Sequence, residues 1–190
     1  MNTQNLILKG GLLFLAAVLS VSAQTRSDYT TSYTRSTYGA VAGDKELTLG
    51  GSGISNKDFN NSSGGVNASL GYYFTDTLEG TIRQSVSYAN PEGSGGADWS
   101  GSTFVALDQH LFARGALRPF LGINFGGFYG DNVSDTLAAG LEAGAKFYVQ
   151  PKTFLFALVD YAWVFHNSHQ ASENFDNGAF QWTVGIGVNF

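Results

Sequence analysis

Residues 178–190 read Gly-Ala-Phe-Gln-Trp-Thr-Val-Gly-Ile-Gly-Val-Asn-Phe, and this stretch decides the fold. The even positions carry large apolar side chains, namely Phe180, Trp182, Val184, Ile186, Val188 and Phe190. The odd positions, from Ala179 to Asn189, are small or polar. Strict alternation with a period of two predicts a β-strand that has one apolar face and one polar face.

Seven further segments alternate in the same way: residues 45–55, 65–74, 78–88, 101–112, 119–130, 136–149 and 153–166. A tilted strand of about 9–11 residues is enough to cross a bilayer. Short connections at residues 75–77, 113–118 and 150–152 alternate with polar connections at 55–65, 88–101, 130–136 and 166–178. An even number of strands joined in this way is typical of a membrane barrel. We predict an all-β fold, an eight-stranded antiparallel transmembrane β-barrel with an up-and-down meander and both ends periplasmic.

The first 23 residues have the features of a secretory signal peptide. Lys9 supplies the positive charge, residues 10–21 form a short apolar core, and Val21-Ser22-Ala23 is a small-residue cleavage site. We expect residues 1–23 to be the signal peptide and residues 24–44 a loosely ordered periplasmic leader, with a short extra strand as the alternative. Residues 45–190 then form the barrel as a single domain.

Composition and charge exclude several classes of protein. Removing residues 1–23 takes away one of the ten basic side chains and none of the 15 acidic ones, which lowers the net charge from −5 to −6. Nucleic-acid binding needs a basic face, so we expect no nucleic-acid partner. The chain has no cysteine, which excludes a disulfide framework. Its 25 glycines and 14% aromatic residues do not fit a helical bundle.

Alternation alone leaves open whether the apolar face points to lipid or into a core, as in a soluble secreted lipocalin-like barrel. Aromatic residues cluster near the strand ends, as in the two aromatic girdles of membrane barrels. The polar face carries Glu79, Arg83, Asp108, His110, Glu142, Lys146 and Asp160, which suits a polar lumen. Both observations favour lipid outside. Gln84 and Gln109 fall on the apolar face and break its pattern. We expect a β-bulge at these positions.

The charged residues of the polar face predict a lumen charge cluster of Arg83, Asp108, Glu142, Lys146 and Asp160. Pairing Val149 with Thr153 across the turn at residues 150–152 places Glu142 opposite Asp160. Facing carboxylates repel unless a cation joins them. Lys146 lies about 13 Å along the strand from Glu142, which makes it a poor direct partner. Our hypothesis is that Arg83, with Asp108 nearby, bridges the lumen to Glu142 and Asp160 and plugs it. Inward glycines such as Gly71 and Gly122 are expected to make room for lumen aromatics.

The chain resembles the outer-membrane β-barrel domain family, the small eight-stranded barrels related to the OmpA transmembrane domain. The resemblance covers residues 45–190 and is carried by the run Leu70-Gly71-Tyr72-Tyr73-Phe74-Thr75-Asp76-Thr77-Leu78-Glu79, by Arg118-Pro119-Phe120-Leu121-Gly122 and by the C-terminal strand. It implies a porin-like protein of the Gram-negative cell outer membrane that contacts outer-membrane lipid and lipopolysaccharide. It also implies insertion by the barrel-assembly machinery, with Phe190, Val188 and Ile186 as the assembly signal.

The resulting functional expectation is a non-catalytic barrel with a structural or surface-interaction role and a lumen plugged by side chains. An extracellular ligand would bind through the loops at 55–65, 88–101, 130–136 and 166–178.

An enzyme is the weaker alternative. His166-Asn167-Ser168 resembles the His-x-Ser spacing of the lipid A deacylase family, but the acid that this family carries in its final strand is missing from residues 178–190. A serine nucleophile needs a base and an orienting carboxylate. A metal site at His166, His169, Glu173 and Asp176 lacks a fixed third ligand. We therefore expect no catalytic residue, no cofactor and no metal.

Overall fold

The barrel consists of eight strands and closes on itself. The computed structural model describes residues 38–56, 62–89, 98–130, 136–165 and 178–190. The strands are β1 (Lys45–Asn56), β2 (Ser62–Tyr73), β3 (Leu78–Ala89), β4 (Asp98–His110), β5 (Leu117–Gly130), β6 (Thr136–Tyr148), β7 (Thr153–Val164) and β8 (Gly178–Asn189). Each strand pairs antiparallel with the next along the chain, and β8 pairs with β1. The predicted meander is confirmed, with strand ends displaced by a few residues.

The two ends of the barrel differ in their connections. Residues 74–77, 111–116 and 149–152 join β2 to β3, β4 to β5 and β6 to β7, and we call this the short-turn end. The other four connections, residues 57–61, 90–97, 131–135 and 165–177, join the strands at the opposite end. We call it the long-connection end, because two of them have 8 and 13 residues. The chain enters β1 and leaves β8 at the short-turn end, where the Lys45 amide donates to the Phe190 carbonyl at 2.8 Å. Within the described residues no helix is long and apolar enough to span a membrane.

The apolar face of the strands points outward. In β5, Leu121 and Ile123 are 57% and 58% exposed, whereas Phe120 is 4% exposed and faces the lumen. The same alternation runs through β6 and β7, with exposed Leu137, Leu141, Phe147, Leu155 and Val159. The lipocalin-like alternative, in which the apolar face lines the interior, is therefore wrong for this barrel.

Aromatic side chains form a belt at each end of this outer surface, as the sequence predicts. The short-turn end exposes Tyr72, Phe74, Phe147 and Phe190. The long-connection end exposes Trp99, Trp163, Phe165 and Trp182. Amphipathic rings at these two levels suit the two interfaces of a bilayer.

The two glutamines that interrupt the apolar face are accommodated without a bulge, since the register of β3 with β4 runs without interruption. Gln84 is buried, hydrogen-bonds with the Tyr129 hydroxyl, and accepts from Thr103 Oγ1 at 2.7 Å. Its Nε2 also donates to the Ser102 carbonyl at 3.1 Å. Gln109 lies near the short-turn end, and its Nε2 donates to the His110 carbonyl at 3.0 Å. The expectation of a bulge at these positions is therefore wrong.

Residues 38–44, which we call the strap, cross the short-turn end. The Gly39 amide donates to the Pro151 carbonyl at 3.1 Å, and the Gly115 amide donates to the Tyr38 carbonyl at 3.2 Å. The Ala42 amide donates to Asp76 Oδ1 at 2.9 Å. The strap is thus bonded to all three short turns. The expectation that the leader is loose is wrong for residues 38–44, because backbone bonds hold them, whereas residues 1–37 lie outside the described residues.

Candidate functional site

The candidate site is a rung of acidic side chains that runs around the lumen wall. The register pairs Glu79 with Asp108, Asp108 with Gly122, Gly122 with Glu142, and Glu142 with Asp160. The last pair is the one predicted from the turn, and the structure confirms it. Four carboxylates from β3, β4, β6 and β7 therefore lie on one line of cross-strand partners, which climbs obliquely around the barrel because the strands are tilted. Like charges in directly opposed positions destabilise a sheet unless cations join them.

Arg83 joins two members of this rung. Its Nη1 donates to Glu142 Oε2 at 3.0 Å, and its Nη2 contacts Glu142 Oε1 and donates to Asp108 Oδ2 at 3.3 Å. Asn124 Nδ2 donates to Glu142 Oε2 at 2.7 Å from the next strand. The planar guanidinium suits this partnership, because its donors point in fixed directions toward two acceptors. We call Arg83, Asp108, Glu142 and Asn124 the middle cluster.

The hypothesis that Arg83 also bridges to Asp160 is wrong, because no hydrogen bond joins these two side chains. Within the described residues, the Asp160 carboxylate accepts from Gln181 Nε2 at 3.2 Å and not from Arg83. Gln181 is the partner of Asp160 across β7 and β8. The Gln181 amide therefore donates directly to the Asp160 carboxylate. The guanidinium of Arg83 instead donates to both carboxylate oxygens of Glu142 and to one of Asp108.

Gly122 lets the middle cluster form. It lies between Asp108 and Glu142 on the rung, and a Cβ atom at this position would stand 2.0 Å from Asp108 Oδ1 and 2.9 Å from Glu142 Cγ. Gly71 has the same role for a second acidic pair, since a Cβ there would stand 2.3 Å from Glu79 Oε1 and 3.1 Å from Glu46 Cβ. The expectation that these two glycines make room for aromatics is wrong at both positions, because carboxylates occupy the space.

Lys146 organises a second group nearer the short-turn end, which we call the lower cluster. Its Nζ donates to both carboxylate oxygens of Glu46 at 2.6 Å, to Glu79 Oε2 at 2.7 Å and to the Tyr73 hydroxyl at 3.0 Å. His110 Nε2 lies 3.0 Å from Glu79 Oε2. Lys146 therefore contacts neither Glu142 nor Asp160, as its distance along β6 predicts.

Glu46 and Tyr73 also belong to the lower cluster, although the sequence pattern does not predict them as members. Glu46 accepts from Asn189 Nδ2 at 2.9 Å as well as from Lys146. The inward phase of β1 places Glu46 in the lumen, so the alternation could have found this residue. Its partnership with Lys146 joins β1 to β6, and no pattern within either strand reports such a contact.

Arg118 fixes the strap over the short-turn end. Its guanidinium is fully buried and donates to three backbone carbonyls, those of Phe112 at 3.1 Å, Ala40 at 3.3 Å and Asp76 at 2.5 Å. It also lies 5.5 Å from the centre of the Tyr73 ring. A cation over an aromatic face gains further attraction. Arg118 thereby ties the strap to two of the short turns.

The lumen is packed on both sides of the middle cluster. Toward the long-connection end, buried Phe104, Phe128, Ala138 and Ala162 form an apolar layer, with Ile54 and Val164 packed against it. Two small voids adjoin the middle cluster, each of about 20 Å³. A void of this size holds roughly one water molecule.

The remaining predicted residues fall in two places. Ile186, Val188 and Phe190 project outward from the end of β8 and are 50%, 38% and 43% exposed. His166, Ser168, His169, Glu173 and Asp176 lie outside the described residues. Within the described part of the chain, no group of three or more His, Cys, Asp or Glu side chains is placed to hold a metal ion.

Comparison with known proteins identifies the fold. No protein-family model and no curated protein matches the chain. Among solved structures, the outer membrane protein OprG of Pseudomonas aeruginosa matches with a TM-score of 0.56 at 13% identity, over 80% of this chain and 98% of OprG. Neisserial surface protein A matches with a TM-score of 0.58 at 15% identity, over 77% and 96%. The N-terminal β-barrel domain of Pseudomonas aeruginosa OprF matches with a TM-score of 0.56 at 19% identity, over 80% and 100%.

These identities are low, so the likeness concerns the fold. Each of the three solved chains is covered almost completely, which means that the barrel as a whole corresponds and not one hairpin of it. The resemblance drawn from the sequence is confirmed at this level: the chain has the fold of the small eight-stranded outer-membrane β-barrels.

Proposed function

We propose that the protein is a non-catalytic integral outer-membrane barrel with a structural or surface-interaction role and a lumen plugged by its own side chains. The observation that carries this proposal is the distribution of polarity in the barrel. Large apolar side chains cover the outside, while Glu46, Glu79, Glu142 and Lys146 are buried inside. A closed barrel satisfies all its backbone groups internally, which is the requirement for a β-structure in hydrocarbon.

The charged groups of the lumen support a structural role. Arg83 and Lys146 are each bonded to two carboxylates, and these carboxylates are buried in the lumen. A catalytic acid or base has to reach a substrate. Groups that pair with each other inside a packed lumen hold the interior together instead.

The orientation in the membrane forms part of the proposal. The short turns and the strap face the periplasm, and the loops at 55–65, 88–101, 130–136 and 166–178 face outward. This arrangement follows the short periplasmic turns and longer outer loops of membrane barrels. Contact with lipopolysaccharide would occur along the outer half of the apolar surface, and an extracellular ligand would bind the loops.

The C-terminal strand is the proposed assembly signal. One face of β8 projects three side chains outward, those of Phe190, Val188 and Ile186. A partner protein could bind this face before the barrel closes. We propose that the barrel-assembly machinery recognises this face.

The plugged lumen can be tested by conductance. The full-length protein is folded in detergent, its fold is verified by a heat-modifiable gel shift, and it is inserted into planar bilayers beside a general porin as the positive control. We expect no stable, well-defined conductance, because eight strands enclose an interior that side chains fill. Reproducible open channels of porin size would contradict the plugged lumen.

Localisation and orientation are tested on native membranes. We expect the folded protein in the outer-membrane fraction, and we expect protease added to intact cells to cut the long connections and spare residues 38–44 and the short turns. A protein recovered from the soluble periplasm would refute the membrane location. Cleavage at the strap on intact cells would refute the orientation.

A further inference from the structure

In the described interior of the barrel, the buried polar atoms that lack a hydrogen-bond partner are acceptors. Within the described residues, the buried side-chain atoms that have no hydrogen-bond partner are Asn67 Oδ1, Glu79 Oε1, Asp108 Oδ1, Asn124 Oδ1 and His110 Nδ1. The first four are oxygen acceptors. His110 Nδ1 is also an acceptor, because Nε2 carries the proton when it donates to a Glu79 carboxylate. A buried acceptor without a partner is costly, so the lumen has room for a species that donates or is positively charged.

The charge balance points to the level of Asp160. Arg83 is bonded to Asp108 and Glu142, while Asp160 lies opposite Glu142 and is bonded to the neutral Gln181. Among the described residues these three carboxylates stand against one cation, which leaves two negative charges in excess, and an ion at Asp160 would balance one of them. In the lower cluster Lys146 is bonded to both Glu46 and Glu79, and the Arg118 guanidinium stands just outside it, 5.5 Å from the centre of the Tyr73 ring, so two cations lie near two carboxylates. The excess negative charge therefore belongs to the middle of the barrel. A buried charge without a counter-charge is strongly unfavourable.

A void lies beside Asp160. It measures about 20 Å³, and seven of its ten lining side chains carry oxygen atoms, namely Asn67, Ser85, Ser102, Asn124, Asp160, Gln181 and Thr183. The other three are Arg83, Phe104 and Leu158. Two of the oxygen-bearing side chains, Asn67 and Asn124, are 6% and 5% exposed and have an unpartnered amide oxygen. The orientation of the Asn124 amide is fixed, because its Nδ2 donates to a Glu142 carboxylate and its Oδ1 must then face elsewhere.

We propose that this void binds one monovalent alkali cation of the sodium class, held by the Asp160 carboxylate and the amide oxygens of Asn67 and Asn124. Hard cations take carboxylate and carbonyl oxygens as ligands. A monovalent ion fits better than a divalent one, because Asp160 is the one carboxylate in the lining and the Arg83 guanidinium borders the same void. A single ion would neutralise Asp160 and satisfy two orphaned acceptors, whereas a proton on Asp160 would leave both amide oxygens without partners. The inference concerns the folded barrel and does not depend on what the loops bind.

The test is ion-specific stabilisation. The full-length protein, folded in detergent, is unfolded in urea at fixed pH in either sodium chloride or N-methyl-D-glucamine chloride at equal ionic strength. We expect the unfolding midpoint to rise with sodium and then to saturate, because a ligand that binds the folded state stabilises it by mass action. Asp160→Asn should abolish the difference between the two salts. Asp44→Asn, which changes a carboxylate of the strap outside the lumen, should leave it intact.

Two outcomes would overturn the site. Equal midpoints in the two salts would mean that no small cation is bound. Stabilisation of the wild-type protein by lowering the pH, with no response to sodium, would mean that a proton neutralises Asp160. Should Asp160→Asn not fold, crystals of the wild-type protein grown with thallium(I) decide the matter. An anomalous peak in the void supports the site, and its absence there refutes it.

Discussion

Replacing Arg83 by Met should strongly destabilise the barrel. The guanidinium makes three hydrogen bonds to the carboxylates of Glu142 and Asp108, and its side chain is 12% exposed. The unbranched Met side chain fills similar space but leaves two buried carboxylates facing each other across Gly122. Breaking a buried ion pair from one side costs about 3–5 kcal/mol. The loss comes mainly from the carboxylates that remain, and it exceeds the worth of any single hydrogen bond.

Neutralising the carboxylates should recover much of that loss. In the triple variant Arg83→Met, Asp108→Asn, Glu142→Gln, no net charge remains buried in the middle cluster, and Asn124 Nδ2 can still donate to the amide oxygen at position 142. Replacing a whole buried ion pair by neutral groups is often nearly neutral for stability. We therefore expect the triple variant to regain at least about 2 kcal/mol of the loss in Arg83→Met.

The assay is urea unfolding in lipid bilayers or detergent at neutral pH, with the folded fraction read from tryptophan fluorescence or the heat-modifiable gel shift. Arg114→Met is the matched control, because Arg114 is exposed on a short turn, and we expect it to change the unfolding free energy little. If the losses of the single variants simply add up in the triple variant, these charges do not interact and the middle cluster has been misassigned.

Three further perturbations test other parts of the structure. Leu141→Arg and Ile186→Arg, on the lipid face, should each lower the free energy of unfolding by about 2–4 kcal/mol. Leu111→Arg, at the edge of that face, should lower it by about 0–1 kcal/mol. If all three variants had equal effects on unfolding in bilayers, the assignment of Leu141 and Ile186 to the lipid face would be wrong. Gly122→Ala should cost about 1–3 kcal/mol by overpacking, while Gly51→Ala, where a Cβ would find its nearest neighbour 3.9 Å away, should leave urea stability unchanged. Arg118→Met should speed amide hydrogen exchange at Gly39 and Gly115 without affecting the strand amides, and an unchanged exchange rate would show that other contacts hold the strap.

The sequence predicts the strands and the local register because both depend on neighbouring residues. The period of two defines the faces of β5 and β6, and a short turn fixes which residues oppose each other, as the pair Glu142 and Asp160 shows. The contacts across the lumen are harder to predict from the sequence. They depend on the tilt and stagger of the strands in the closed barrel, and no single segment encodes these quantities. For this reason the sequence pattern predicts that Arg83 bonds to both Glu142 and Asp160, whereas in the structure it bonds to Glu142 and Asp108.

The space beside Gly122 and the order of the strap are two further features that the sequence pattern does not predict. The inward position of Gly122 follows from the alternation, but whether the freed space admits a ring or a pair of carboxylates depends on strands that are distant in sequence. The strap has no alternation at all. Its order comes from hydrogen bonds to three turns, two of them between backbone groups and the third from the Ala42 amide to Asp76 Oδ1. Arg118, which the sequence pattern places in a connection, adds a bond to the Ala40 carbonyl.

The seam between β1 and β8 has a consequence for how the chain reaches its folded state. Every other strand pair is a hairpin between sequence neighbours, whereas the seam joins the two ends of the domain, as in the bond from Asn189 to Glu46 across 143 residues. Closing the seam brings the first and last strands of the domain together, which is opposed by chain entropy. Until it closes, the sheet has two free edges that can pair with other chains, and Glu46 lacks its Asn189 bond. Barrel closure therefore completes the protection of both sheet edges and the bonding of the lower cluster together.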